Sequence, residues 1–586
     1  MKAEIFVRKI FKKFPLLLTG NIVLSVIMSL FAACSLFTIS PLVDFLINPD
    51  LKNISPLTQK AIDILKWFNM PVSLWSWLAV FVVFVALSSL FQVFAKYSIL
   101  KTKYAVLRDI ILGTFKDFFD SGWYFFSSGK QGVLLNTFTR EITTVGDAFG
   151  AMALFFSSIL QTVFFLTVPF YISWQVTIIS LGVSLLFAVP FILLGKYSYR
   201  LGVLNTTTSN HTKSVIQENI SLAKIVLGFG KQQKSVDSLA NAFDAHRDAT
   251  LKSQFLSIAI PILYDPFGVV MIVIALFTAR RFNVPLSELM VLLLALRQVA
   301  FSVGNLTAQK NSLENFFPSY EQIENLRNRA KRLKQKSGEK CFNGIEREIS
   351  LQNVSFSYPG HGEVLSAVSV RVPKGKMIAF VGGSGAGKST LIDVILGFHS
   401  PSDGRVLCDG VSLAEFEINS FRRKVGYVPQ DSALFNMTIK DNLLWALETA
   451  QEKDIISACC QANADEFIRQ LPEGYNTFVG DRGVRLSGGQ VQRIALARSI
   501  LRKPELLILD EATSALDTHS EKLIQQAIET IAKKTTVIVI AHRLSTIVNA
   551  DYVYVLEKGR IVEEGTYRWL MENNGYFNRM VAMQTL

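Results

Sequence analysis

The chain has 586 residues, half of them hydrophobic and 18% charged, with a mean hydropathy of +0.32. Ordinary soluble chains carry about 25% charged residues, so a single soluble globular domain is excluded and a membrane protein of several domains is expected. The formal net charge of +13 would suit a nucleic-acid binder, but no RNA- or DNA-binding motif accompanies it, and positive flanks of membrane helices account for it.

The N-terminal stretch "MKAEIFVRKIFKKF" places Lys2, Arg8, Lys9, Lys12 and Lys13 among Ile5, Phe6, Ile10, Phe11 and Phe14. The apolar run from Pro15 to Val43 that follows is too long for a secretory signal and lacks a clear small-residue cleavage site. An interfacial helix leading into a first span is expected instead. Crossing the hydrocarbon takes about 20 mostly apolar residues. Six stretches qualify: roughly 15–43, 74–100, 149–172, 174–197, 256–280 and 286–308. The N-terminal segment and the two long loops hold 5, 6 and 7 Lys or Arg, and the three short connections hold 3, 0 and 2. That bias places the N-terminus and the long loops in the cytosol. Within those loops "YAVLRDIILGTFKDFF" and "KSVDSLANAFDAHRDATLKSQFL" have helical periodicity, so the spans should continue into the cytosol as helices. The loops turn at "SSGKQGVLLNTF" and "VLGFGKQQK".

The sequence thus divides into a helical membrane domain at 1–325, a polar and basic linker at 326–340, and an α/β domain at 341–586 in which strand and helix patterns alternate. The five cysteines, Cys34, Cys341, Cys408, Cys459 and Cys460, have no Cys-x-x-Cys spacing. Neither a disulfide framework nor a zinc site is expected, and a reducing cytosolic setting fits the second domain.

"GGSGAGKS" matches G-x-x-x-x-G-K-S between the apolar strand "MIAFV" and the helical run "TLIDVILGF". That strand–loop–helix context is what a phosphate-binding loop requires. Gly382, Gly383, Ser384, Gly385, Ala386 and Gly387 would let backbone N–H groups approach phosphates, with the dipole of the following helix assisting. Lys388 would reach the β- and γ-phosphates, Ser389 would ligate Mg²⁺, and Thr390 would continue the cradle. In "ELLILDEATSALD" two acids end an apolar strand, and burying them without a cation or proton would be costly. Asp510 suits a Mg²⁺ contact and Glu511 suits polarising the attacking water. His542, ending the strand of "VIVIAHRLS", suits a γ-phosphate contact, since ligands of such sheets bind at the carboxyl ends of strands. A second run, "VRLSGGQVQR", also offers a serine and glycines at a helix start.

With these motifs assembled, residues 340–586 resemble the nucleotide-binding domain of an ATP-binding cassette (ABC) transporter. "LSGGQ" resembles that family's signature. The resemblance implies that Ser487, Gly488, Gly489 and Gln490 face an ATP held by the phosphate loop of a second copy. It makes Gln430 in "YVPQ" the coupling glutamine, active in hydrolysis with Glu511 and His542 and in Mg²⁺ binding with Ser389 and Asp510. Tyr358 would stack on adenine, and Asp517 in "SALD" would lie in the loop that crosses between cassettes. One cassette and six spans make a half-transporter; a homodimer is the simplest completion, and a heterodimer with a related chain is the alternative.

The membrane domain preceding the cassette, the long inner helices and "TFVGDRGVRLSGGQ", with Asp481 where Glu is usual, are similar to the exporter branch. There ATP binding closes the cassettes and opens the cavity outward, and the turns near 130–138 and 228–233 would couple the two domains. "LALRQVAFSVGNLTAQ" and "LGFGKQQKSVDSL" resemble the lipid A-core flippase group within that branch. Charged or polar groups inside the spans include Arg297, Asp265, Lys96 and Gln92. An intramembrane charge marks a functional site by default, so Arg297 is expected to face the cavity and meet an anionic group, with an internal pair to Asp265 as the alternative. The expected activity is ATP-driven movement of an amphipathic, anionic lipid or lipid-linked glycan across a bacterial inner membrane, with multidrug or hydrophobic-peptide export as the alternative.

Overall fold

The structure, a computed structural model, describes residues 12–47, 54–129, 131–182, 194–510, 518–541, 544–573 and 575–585. It divides into two units: Met1–Ser121 with Phe125–Leu333, and Gly122–Tyr124 with Lys334–Leu586.

The first unit is helical. Its principal helices are α1 (Pro15–Phe37), α2 (Ile39–Ile47), α3 (Pro56–Trp67), α4 (Leu74–Phe119), α5 (Ile142–Ile172), α6 (Gly195–Ser221), α7 (Gln232–Arg281) and α8 (Leu286–Arg332). Proline at the first position starts α1 and α3, where its missing N–H costs nothing, and Ser55 and Ser73 cap α3 and α4. Among the described residues five helical stretches are long and apolar enough to cross a membrane. The fourth expected span is helical over 174–182 and from Gly195, and 183–193 lie outside the described residues. The 46-residue α4 is about 69 Å long at about 1.5 Å per residue, more than twice the hydrocarbon thickness of about 30 Å. With α7 and α8 it continues the spans as single unbroken helices. Helix α8 runs on through the start of the basic segment to Arg332.

Close helix crossings rely on small residues, as is usual in membranes. At Gly202 of α6 a β-carbon would stand 2.1 Å from the carbonyl oxygen of Asn315 in α8, so only glycine fits that approach. Below the spans the packing turns polar. A π-helical turn at Thr137–Glu141 carries the fully buried Glu141. Its carboxylate accepts from Asn136 Nδ2 (3.0 Å) and Arg140 (2.9 Å), and Asn210 joins the network to Gln322 of α8 (2.8 Å).

The second unit holds two sheets. One is antiparallel with order β2–β1–β4–β5, from β1 (Glu348–Ser357), β2 (Glu363–Pro373), β4 (Asp403–Cys408) and β5 (Val411–Ser412). The other has order β10–β9–β3–β8–β7–β6, from β3 (Met377–Gly382), β6 (Val425–Val428), β7 (Leu506–Asp510), β8 (Thr536–Ile540), β9 (Tyr552–Glu557) and β10 (Arg560–Gly565). In the second sheet β9, β3, β8, β7 and β6 are parallel. Strands β3, β7 and β8 are buried at every residue, which is why they read as continuous apolar runs rather than alternating ones. Apolar clusters cover both faces.

Candidate functional site

The order of the parallel sheet decides where the chemistry lies. Strand β8 sits between β3 and β7, with Phe380 and Asp510 both level with Ile540. The carboxyl ends of these three strands therefore lie side by side at one edge. Gly382–Gly387 wrap from β3 into the helix α9 (Lys388–Ile395). Lys388 is buried, and its Nζ donates to the carbonyl oxygens of Gly382 and Gly383, each at 2.9 Å. The ammonium thus lies across the loop whose phosphates it would meet. Gly383, Ser384, Gly385 and Ser389 are exposed at this edge, while Ala386, Gly387 and Thr390 are buried. Thr390 shares a hydrogen bond with the Tyr358 hydroxyl at 3.3 Å, and the half-buried Tyr358 ring packs edge-on against Phe356 and His399.

Asp510 ends β7 and is 7% exposed. Val428 of β6 pairs with Leu509, so the exposed Gln430 leaves the sheet beside Asp510. Glu511, Asp517 and His542 lie outside the described residues. Of their neighbours, Ala541 follows β8 with its N–H donating to Phe380 O at 3.1 Å. The phosphate loop, Thr390, Tyr358, Asp510 and Gln430 are thus gathered at one end of the cassette.

The "LSGGQ" run begins the helix α10 (Gly488–Ile500). Ser487 and Gln490 form a reciprocal capping box, at 3.0 and 3.3 Å. Ser487 and Gly488 are exposed and Gly489 is buried. The far end of α10 is fixed on β6, where the Ser499 hydroxyl donates to Tyr427 O at 3.0 Å. This leaves a helix N-terminus, an anion-binding element by its free N–H groups and dipole, open at the surface.

One perturbed acid near this edge escaped the sequence. Asp393, on α9, is pushed up to about 7, first by burial and second by the charge of Asp510. The Asp393 carboxylate also faces His399, whose Nε2 lies 3.9 Å away. Ser389, exposed at the start of α9, supplies a hydroxyl at the same edge. The signal in the sequence was an acid within the apolar helix "TLIDVILGF".

In the first unit Arg297 is exposed on α8 between the buried Leu296 and Val299. Its exposed neighbours along that face are Met290, Leu294 and Phe301. Among the described residues it has no ion pair, and Asp265 is exposed without pairing to it.

Comparison with known proteins places both halves. The ABC transporter transmembrane region matches residues 19–296, and the ABC transporter cassette matches 365–514. The heterocyst differentiation ATP-binding protein HepA of a Nostoc strain is 38% identical over 78% of this chain and 76% of its own length. An ATP-dependent lipid A-core flippase of Syntrophus aciditrophicus is 33% identical over 78% of this chain and 77% of its own length. A solved bacterial Atm1-family ABC exporter with ATP bound shares the fold, with a TM-score of 0.83 at 24% identity over 97% of this chain and 99% of that one. With both halves matched, and with relatives this similar over most of their length, the chain belongs to the ABC transporter family, as an integral membrane exporter whose ATPase drives transport.

Proposed function

We propose that this exporter moves an amphipathic, anionic lipid or lipid-linked glycan from the inner to the outer leaflet of a bacterial inner membrane, with the cassette in the cytoplasm. The observation that carries this reading is Arg297, a lone cation on an otherwise apolar exposed face of α8. A guanidinium in hydrocarbon is costly unless it meets water or an anion, and guanidinium groups pair well with phosphate and carboxylate. A relative named as a lipid A-core flippase supports a lipid cargo. The apolar side chains around Arg297 also fit a hydrophobic drug or peptide, which is the second reading.

For the ATPase, the proposed assignments follow the sheet edge. Lys388 and the loop N–H groups hold the phosphates, and Tyr358 stacks on adenine. Ser389, Gln430 and Asp510 hold Mg²⁺, which would neutralise phosphate charge. Glu511 polarises the attacking water and His542 contacts the γ-phosphate. Ser487, Gly488, Gly489 and Gln490, with Asp517 of the crossing loop, complete the site of a second copy, so the working form is a homodimer. The exposed apolar tip at Ile225, Leu227 and Phe229 is a surface that a second chain would cover.

Native mass spectrometry of protein extracted gently from its own membrane tests this. A homodimer carrying an anionic glycolipid, whose stimulation of ATP turnover is lost in Arg297→Ala, is expected. A homodimer without lipid, stimulated instead by drugs or peptides, would favour the second reading. A different second chain would refute the homodimer.

A further inference from the structure

Helix α3 is a built wall rather than a connecting loop. Its N-terminus is held by two buried carboxylates from other helices. Asp44 of α2 accepts from the Ser55 N–H (3.1 Å) and hydroxyl (2.7 Å), and Glu288 of α8 accepts from the Leu57 N–H (3.0 Å). Anions at this helix end also complement its dipole. One face of α3 buries Leu57, Ile62 and Leu65, the last two packing with Trp77 of α4.

Beside that packing the wall borders an open cavity of about 590 Å³ between α1, α3, α4 and α5. Ligand sites range over roughly 300–1,000 Å³. Its lining is almost wholly apolar, with Phe37, Ile64, Leu65, Trp77 and Phe84 among the walls, and among the described residues Lys60 is the one charged lining residue. The Lys60 ammonium donates to the Tyr171 hydroxyl at 2.6 Å and lies 5.1 Å from the centre of that ring. Tyr171 also lines the cavity, so this contact holds the exposed ammonium beside it. Trp67, Phe68 and Trp75 are exposed around this end of the bundle, as in the aromatic belts of membrane–water interfaces. The contact to Glu288 puts α3 at the start of the 47-residue α8, about 70 Å from the end that leads to the cassette. With the cassette in the cytoplasm, this is the outer leaflet.

We infer that this cavity binds one acyl chain of an anionic phospholipid of the outer leaflet, with the headgroup phosphate against Lys60. The apolar walls match a hydrocarbon chain, and one cation held beside them matches one anionic head. The site is distinct from the surface around Arg297 and does not depend on which molecule is carried.

The test uses the full-length protein in phosphatidylcholine nanodiscs containing a phosphatidylglycerol with a photoactivatable diazirine in its acyl chain. Adducts are mapped by peptide mass spectrometry. Label should concentrate on the peptides containing Cys34–Thr38 and Leu57–Met70, and unlabelled phosphatidylglycerol should compete several times better than phosphatidylcholine. Lys60→Gln, a change at an exposed side chain, should remove that preference while basal ATP turnover persists. Ala61→Phe should fill the cavity and abolish the label. Label spread evenly over the membrane surface would overturn the site. Equal competition by the two lipids, or an unchanged preference in Lys60→Gln, would overturn the role of Lys60.

Discussion

Replacing Gly382 by alanine should unfold the cassette early, whereas the same change at Gly383 should spare the fold. Gly382 has φ of +153°, and a β-carbon there would stand 2.2 Å from the carbonyl oxygen of Leu556. The two residues are register partners in β3 and β9, and Leu556 is fully buried. Neither strand can retreat, because β3 is also paired to β8 and β9 to β10. Overpacking costs about 1–3 kcal/mol, and a side chain in a sparsely populated backbone region roughly another 1–3 kcal/mol. A combined loss of about 3 kcal/mol or more lowers the melting temperature of a domain this size by about 6–12 °C. At Gly383 no atom lies within 4 Å of an added β-carbon, and its φ is not positive. Thermal unfolding of the purified full-length protein, followed without nucleotide, separates the two. Gly383→Ala then becomes a clean probe of phosphate approach, since a weaker ATP affinity at unchanged stability measures what a methyl group excludes. A Gly382→Ala protein melting within about 2 °C of the wild type, less than 1 kcal/mol on the same scale, would refute the reasoning.

Glu141→Ala removes a fully buried carboxylate and strands Asn136 and Arg140; a loss of about 1–3 kcal/mol is expected, read as a lower denaturant midpoint of the membrane unit, with Glu141→Gln losing less. Asp409 accepts from the backbone N–H groups of Glu346, Arg347 and Glu348 at 2.8, 2.7 and 2.9 Å. Burial opposes its ionised form, but these bonds outweigh it and hold the carboxyl below its ordinary value. A depressed folded value means that its stabilisation is complete above the unfolded value of about 3.9 and is lost as pH falls through the folded one. Asp409→Asn should therefore melt below the wild type at neutral pH, with the gap closing in acid; a gap independent of pH would contradict this. Lys388→Ala and Ser487→Ala homodimers should each lose most ATP turnover, yet the mixed dimer should recover part of it. In the mixed dimer one site combines both lesions and the other is intact, so a mixed dimer as inactive as its parents would rule out sites shared between chains.

The phosphate loop was legible because its parts are contiguous: strand, glycine turn and helix follow one another within twenty residues or so, and each is set by local chemistry. Spans were legible for a similar reason, since length and hydropathy belong to the segment itself. What the sequence hid depends on partners far along the chain. Glu141 looks like an ordinary loop charge until Asn136, Asn210 and Gln322 are brought round it. Helix α3 carried a visible Ser-Pro start, but its role as a wall comes from Asp44, Glu288 and Tyr171, on three other helices. Asp393 joins the two cases. It sits inside the helix that the motif announces, and its acid stands out in an apolar run. Its raised protonation point arises from burial and from Asp510, at the end of a strand more than a hundred residues later. Asp510 is a like charge that adds to the cost of ionising Asp393, and the parallel order β3–β8–β7 is what brings the end of β7 close to the motif helix. Sequence shows the acid in its apolar run, and strand order decides which charge it must face.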